Sequence, residues 1–290
     1  MEEDKILNGK EVSQKIKDDL KLEVDQLKKK KIFPKLAVIM VGNDEASKVY
    51  VRNKSKACNK VGVEFDEFLL PEKTTEKELF DLIDKLNNDE TVNGILLQSP
   101  IPNHLDENKA FRRIKPEKDV DGFNPVNVGD LCIGNDCFIS CTPFGIMKIL
   151  EYYNIDVEGK NAVVIGRSNI VGKPMVQCLL AKHATVTVCH SRTKNLKEIT
   201  LKADILVSAV GKTKFIKQDM VKEGAIVIDV GMNRDSEGKL CGDVDFENVL
   251  PKVSKITPVP GGVGPMTIAM LLYNLVKATK KQSEKNKEDN

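Results

Sequence analysis

Along most of the chain, short runs of β-branched and aliphatic residues alternate with longer stretches whose apolar positions recur every three or four residues. The first half carries LAVIMVG (36–42), VEFDEFLL (63–70) and NGILLQ (93–98) as strands, with a helix through Tyr50 and Lys54 and another over 75–87 between them. The second half repeats the cadence with NAVVIG (161–166), ATVTVC (184–189), DILVSA (204–209) and AIVIDV (225–230). Strands separated by helical stretches are the mark of parallel sheets with crossover helices. The pattern predicts an α/β protein of two domains.

Between the halves, PEKDVDGFNPVNVGD leads into CTPFGIMKILEYY, a Gly/Pro-rich loop followed by a helix opened at Thr142-Pro143. The boundary is set near residue 140, with an N-terminal domain over 1–140 and a cofactor-type domain over 141–264. The apolar helix PMTIAMLLYNLVKA (265–278) is expected to pack back onto the first domain. The polar stretch TKKQSEKNKEDN (279–290) lacks apolar periodicity and is expected to be disordered.

Composition narrows the classes of function. With 45 Lys+Arg against 43 Asp+Glu the formal charge is +2, so no overall field draws the chain to nucleic acid or membrane. Aromatic residues make up 5% and Trp is absent, which leaves few stacking platforms for single strands. No apolar run approaches a membrane span, and MEEDKILNGK lacks the basic and apolar regions of a signal peptide, so a cytoplasmic protein is expected. Seven cysteines then read as reduced thiols. Cys132, Cys137 and Cys141 lack C-x-x-C spacing and the three histidines show no paired ligand spacing, so no metal site is expected. The run Lys28–Lys31 reads as a solvated helix end.

The helix ASKVYVRNKSKAC (46–58) is the first candidate for chemistry. On a helical wheel Ala46, Val49, Tyr50, Ala57 and Val61 fall on one arc, with Lys54 inside or beside it, whereas Lys48, Arg52 and Lys56 point away. A lysine on the packed side either sends its ammonium to a partner, loses its charge more easily, or snorkels along apolar surface. GILLQSPIP places Gln98 at the end of a buried strand, where ligands of open α/β sheets collect. KDVDGF adds Asp119 and Asp121 beside Gly122, residues that equally form ordinary turns.

In the second half, VVIGRSNIVGKPM (163–175) follows a strand and opens a helix. Gly166 permits the tight turn, Gly172 permits close packing, and amides at the helix start are candidates to hold a phosphate. The next strand ends at His190, Ser191 and Arg192, where an NAD enzyme places an acidic residue for the ribose. With a serine and an arginine there, NADP is favoured over NAD, though an ordinary loop arginine has the same appearance. Arg167 offers a second cation. Tyr-x-x-x-Lys also occurs in short-chain dehydrogenases, but there the pair follows the cofactor glycines, and here Tyr50 and Lys54 precede them.

Taken together, ASKVYVRNKSKAC, GILLQSPIP, PEKDVDGFNPVN, CTPFGI, VVIGRSNIVGKPM, TVTVCHSRT, ADILVSAVG, VIDVGMN, GDVDF and ITPVPGGVGPMTIAMLL resemble the bifunctional methylenetetrahydrofolate dehydrogenase / methenyltetrahydrofolate cyclohydrolase family, over about residues 46–272. Ser99 and Asn124 depart from the residues common there. The resemblance implies a folate-binding domain, a Rossmann-like NADP-binding domain and an active-site cleft between them. It implies Tyr50, Lys54, Gln98 and Asp121 as folate-site and catalytic residues, and Gly166, Arg167, Ser168, Ser191 and Met232 as cofactor contacts, with Arg192 on the phosphate. The PVPGGVGPMT loop, including Pro260, Gly264 and Thr267, is similar to the segment that closes over the substrate. A homodimer and a place in one-carbon metabolism and purine biosynthesis are further implied. On this reading Lys54, held by Tyr50 and Gln98, handles the proton of water addition, and Asp121 anchors the pterin ring. A dehydrogenase without the hydrolase step, or a cofactor-binding regulator, is disfavoured because Lys54 and Asp121 are both present.

Overall fold

The computed structural model describes residues 3–288. It forms two compact units, the first of Lys15–Ile139 with the chain from Leu271 onward, the second of the segment up to Gln14 with Ser140–Met270. Helix α1 (Gly9–Lys29) begins in the second unit and ends in the first.

In the first unit β1 (Lys35–Val41), α2 (Glu45–Val61), β2 (Glu64–Leu70), α3 (Glu76–Asn88) and β3 (Gly94–Leu97) follow in turn, then the short helices α4 (Glu107–Arg113) and α5 (Pro125–Ile133). The sheet is parallel in the order β2-β1-β3. Its central strand β1 is buried from Leu36 through Val41, as an unbroken apolar run should be when both faces are covered. Edge strand β2 is partly exposed throughout. Ile39, Ile83, Ile95 and Leu97 anchor the core of this unit. Local signals set the helix ends: Asp44 caps α2 by accepting from Ser47 N at 2.7 Å, and Thr75 with Glu78 forms a capping box at α3.

The second unit contains α6 (Cys141–Tyr152), β4 (Asn161–Ile165), α7 (Gly172–Leu180), β5 (Thr185–Cys189), α8 (Leu196–Thr200), β6 (Ile205–Ser208), β7 (Ile226–Asp229), the hairpin β8 (Asn233–Arg234) and β9 (Leu240–Cys241), α9 (Phe246–Val249) and β10 (Lys255–Ile256). Five parallel strands run in the order β10-β7-β6-β4-β5, so the strand order reverses beside β4. Helix α10 (Val263–Glu288) then passes from this unit to the first.

Three expectations change. Residues up to Gln14 belong with the second unit, because Ile6 bridges Ile256 and Leu7 N donates to Ile256 O at 2.8 Å, extending the sheet past β10. The turns of α10 up to Met270 stay in the second unit as well; only the helix from Leu271 joins the first. Thirdly, Thr279–Glu288 is helical where disorder was expected. The Thr279 hydroxyl is buried against Leu275 O, and Gln282 donates to Asn93 O and Glu117 O, both at 2.9 Å. Lys280 pairs with Glu23 and Lys281 with Asp136. This stretch is held by polar contacts, to which a search for apolar periodicity is blind. Asp289 and Asn290, the end of that expected tail, lie outside the described residues. Among the described residues no helix is long and apolar enough to cross a membrane, and the seven cysteines form no disulfide.

Candidate functional site

Helix α2 buries Ser47, Val51, Cys58 and Val61. This stripe lies to one side of the predicted arc: Val49 is 52% exposed and Tyr50 40% exposed. Ser47 begins the packed face, and because its side chain is polar the hydrophobic pattern centres on Ala46 and Val49 instead. The shift places Lys54 more firmly on the packed face, three residues after Val51 and four before Cys58. Lys54 is half-buried and its Nζ donates to Gln98 Oε1 at 2.8 Å. Gln98 is 8% exposed, continues the ladder past β3 through its N–H to Ile39 O, and spends its amide group on Ser99 O at 2.7 Å. Strand β3 thus fixes the amide, and the amide fixes the lysine at the carboxyl edge of the sheet. Tyr50 lies one turn before Lys54 on the same helix.

Burial pushes the Cys58 thiol up to about 12, against the opposing influence of the Lys54 charge. At neutral pH only about one part in 10⁵ is thiolate. Alkylation of the native protein near pH 7.5, resolved by mass spectrometry, should modify the exposed Cys132 and leave Cys58 untouched until the chain is unfolded. Modification of Cys58 at the rate of Cys132 would show that the helix does not protect it.

Asp121 stands half-buried in the loop after β3's neighbour bridge Ile95↔Asp119. Asp119, 2% exposed, organises that loop: its Oδ1 accepts from Gly122 N and Phe123 N at 3.2 Å, and its Oδ2 from Asn124 N at 2.7 Å and Asn127 Nδ2 at 2.8 Å. Asn274 of α10 clamps the same loop by donating to Val120 O and Ile139 O. Burial raises the Asp119 carboxyl from its ordinary 3.8 to about 6, although the hydrogen bonds from Asn124, Asn127 and Phe123 work the other way. A folded-state value above the unfolded one gives stability that is complete below about pH 4 and is lost as the pH rises through 6. From pH 4 to 7, urea unfolding should therefore show the wild type losing about 2 kcal/mol relative to Asp119→Asn. A difference independent of pH would refute it.

In the second unit β4 and β5 pair Ile165 with Cys189, so Gly166 and His190 leave the sheet side by side. Gly166 has φ +125°, and a Cβ there would lie 2.4 Å from Ala209 O. A Cβ on Gly172 would lie 2.4 Å from Gly166 O, so both glycines are required for the turn to fold onto itself. The expectation of free amides at the start of α7 is corrected. Ser168 Oγ accepts from Val171 N and Gly172 N at 3.2 and 3.3 Å, and Ser168 O from Lys173 N at 3.0 Å. Ser140 Oγ, donating to Ile170 O at 2.6 Å, braces the loop from α6. Arg167, Ser168, Ser191 and Arg192 are exposed at this edge. The Thr193 hydroxyl accepts from His190 N at 2.8 Å, and His190 Nδ1 from Arg192 N at 3.2 Å, which fixes the turn carrying Ser191.

Met232, 50% exposed, follows β7, and a Cβ at Gly264 would lie 3.8 Å from its Sδ. Gly264 and Thr267 sit in the first turns of α10, Thr267 with its hydroxyl 3.1 Å from that of Thr142. Pro260 lies in the preceding turn, where Gly262 N donates to Pro258 O at 2.8 Å. Tyr50, Lys54, Gln98 and Asp121 lie in the first unit, where Lys54 and Gln98 are in contact, and Gly166, Arg167, Ser168, Ser191, Arg192, Met232, Pro260, Gly264 and Thr267 lie in the second.

Residues 7–121 match the model of the tetrahydrofolate dehydrogenase/cyclohydrolase catalytic domain, and residues 140–283 that of the NAD(P)-binding domain of the same family. The chain belongs to the tetrahydrofolate dehydrogenase/cyclohydrolase family. It is 59% identical over 282 residues to the bifunctional protein FolD of Acetivibrio thermocellus, covering 97% of this chain and 99% of that one. Among solved structures it is similar to the bifunctional enzyme FolD, methylenetetrahydrofolate dehydrogenase/cyclohydrolase, of Campylobacter jejuni, with TM-score 0.94 at 52% identity over 95% and 98% of the two chains. The Trypanosoma brucei methylenetetrahydrofolate dehydrogenase-cyclohydrolase complexed with NADP cofactor and inhibitor gives TM-score 0.91 at 37% identity, over 96% and 98%.

Reading the chain of this tetrahydrofolate dehydrogenase/cyclohydrolase in one dimension misses the residues that hold its loops. Asp119 stands out beside Asp121 in the sequence, but Asn127 and Asn274, which bind its loop, carry no local signal. Asp229 and Asp243 in the NAD(P)-binding domain are likewise buried and bonded to backbone amides, with burial raising the Asp229 carboxyl to about 6. Their one sequence trace is a glycine within two residues of each, in DVG and GDVD.

Proposed function

We infer that this chain oxidises 5,10-methylenetetrahydrofolate to the 5,10-methenyl cation with NADP, and hydrolyses that cation to 10-formyltetrahydrofolate. The observation that carries it is the Lys54 Nζ to Gln98 Oε1 bond at the carboxyl edge of a buried strand, in a chain that also holds the Gly166 turn.

The second unit fits NADP on its own features. The Gly166 turn leaves β4 where the strand order reverses, the place where such sheets take a dinucleotide, and the turn after β5 offers Ser191 and Arg192 with no carboxylate to repel a 2′-phosphate. Gly166, Arg167, Ser168, Ser191, Arg192 and Met232 are the residues that would hold it. NADP supplies the acceptor for the hydride leaving the one-carbon bridge. Pro260, Gly264 and Thr267 contribute to the substrate's pocket.

For the hydrolysis, water adds to the carbon of the methenyl bridge and gives a proton to the Lys54 amine. The bond from that carbon to N5 then breaks, N5 takes a proton, the formyl group stays on N10, and one proton is released overall. The positive charge of the substrate favours the neutral amine that this step needs. Gln98 accepts from the amine and aims its lone pair, Tyr50 supports it from one turn away, and Asp121 binds the pterin ring by hydrogen bonds.

Unpaired cysteines suit a reducing, cytoplasmic setting. The exposed Val188 and half-exposed Val186 on edge strand β5 suit a homodimer formed through the cofactor unit. The 10-formyl product suits purine biosynthesis. Supplying methylenetetrahydrofolate with NADP should produce NADPH without build-up of the methenyl compound. Accumulation of that compound would reduce the activity to the dehydrogenase alone, and no NADPH would overturn the reading.

A further inference from the structure

The residues that connect β6 to the chain beyond it, and β7 to β8, leave the sheet at its carboxyl edge, where ligands of open parallel sheets bind. Neither connection has regular structure at its start. Both are tied to the same two carboxylates, Asp229, 2% exposed, and Asp243, fully buried.

Asp243 uses both oxygens. Oδ2 accepts from Ser208 Oγ at 3.1 Å, Val210 N at 2.8 Å and Gly211 N at 3.3 Å, and Oδ1 from Lys212 N at 2.9 Å and Asn233 Nδ2 at 3.0 Å. One side chain thus holds three successive amides after β6 and the first residue of β8. Asp229 Oδ1 accepts from Gly231 N and Asp243 N, and its Oδ2 from Val244 N, all at 2.9 Å. It therefore fixes the backbone of Asp243 and the residue before Met232. The approach leaves no space for side chains: a Cβ on Gly231 would lie 2.3 Å from Asp243 Oδ1, and one on Gly242 1.9 Å from Asp229 Oδ2. Two carboxylates confined by two glycines, deep in one unit and wrapped in amides, are costly to bury unless the geometry they impose is needed.

We propose that Asp229 and Asp243 are positioning residues for NADP, holding the Val210–Lys212 backbone and the Gly231–Met232 turn in the form that receives the cofactor. The proposal rests on the NADP reading above. An asparagine at 243 keeps the size but turns one acceptor oxygen into an N–H donor facing N–H groups, so either Val210 and Gly211 or Lys212 and Asn233 lose their acceptor. A loop that must be reordered on binding weakens affinity without touching the reacting atoms.

Asp243→Asn should raise the dissociation constant for NADPH, read from NADPH fluorescence, and the KM for NADP by about tenfold or more, with kcat changed less than threefold. Hydrolysis of the methenyl compound, assayed with no NADP present, should stay at the wild-type rate; a merely structural role would lower it too. Asn233→Ala and Ser208→Ala, each removing one donor, should raise the NADPH dissociation constant by a few-fold, and they decide the matter if Asp243→Asn does not fold. Unchanged NADPH affinity in the variants that fold overturns the proposal, as does parallel loss of hydrolysis and NADPH binding. A wild type that binds no NADPH overturns both this proposal and the reading beneath it.

Discussion

Lys54→Met should lower hydrolysis of the methenyl compound by about 10²–10⁴-fold, the range that a positioned acid/base group contributes. Methionine keeps the unbranched stem, so the side of α2 bearing Val51 and Cys58 stays covered and the fold is retained. What disappears is the amine that Gln98 Oε1 holds at 2.8 Å. Supplied with methylenetetrahydrofolate and NADP, the variant should still generate NADPH while the methenyl compound accumulates, which its absorbance reports. Lys54→Arg sharpens the test, since a guanidinium retains the charge and cannot give up its proton; it should fail at hydrolysis as methionine does. Full conversion to the formyl compound by either variant would remove Lys54 from the proton transfer.

Gly166→Ala should have the largest effect in the second unit. At φ +125° an L residue is strained by about 1–3 kcal/mol. In addition, its Cβ would meet the Ala209 carbonyl oxygen at 2.4 Å, on the backbone of the neighbouring strand's end, where no flexible atom can step aside. The turn must open. NADP affinity should fall by well over tenfold and the melting temperature by several degrees, since about 1 kcal/mol shifts it by 2–4 °C in a chain of this size class. Hydrolysis measured without NADP, below the new melting temperature, should persist. A variant with wild-type KM for NADP would mean that the Gly166 turn does not carry the cofactor.

The strands could be read from the chain because parallel strands covered on both faces are unbroken apolar runs, as β1, β4 and β6 are. Helix ends were accessible for a similar reason: Thr75 with Glu78 is a local signal with a local cause. The orientation of α2 was less so, because its packed face is written partly in Ser47 and Lys54, and a polarity pattern counts those as solvent-facing. Lys54 and Gln98 could be suspected, one from the wheel and one from a strand end, while their bond is a tertiary fact spanning 44 residues. The pair Asp229 and Asp243 shows the limit more sharply. A carboxylate whose partners are backbone amides has no complementary residue type to look for, and the amides of Val210, Gly211 and Lys212 lie more than thirty residues from Asp243.

The bridge between Ile6 and Ile256 sets an order of events during synthesis. The segment that bridges the five-stranded sheet of the second unit leaves the ribosome well before its partner strand β10, which is made some 250 residues later. At about 5–20 residues per second, Ile6 and Leu7 wait on the order of tens of seconds for the strand they pair with. Through that interval Ile6 and Leu7 are apolar side chains made ahead of the strand that covers them, so the edge of this sheet closes only at the end of synthesis.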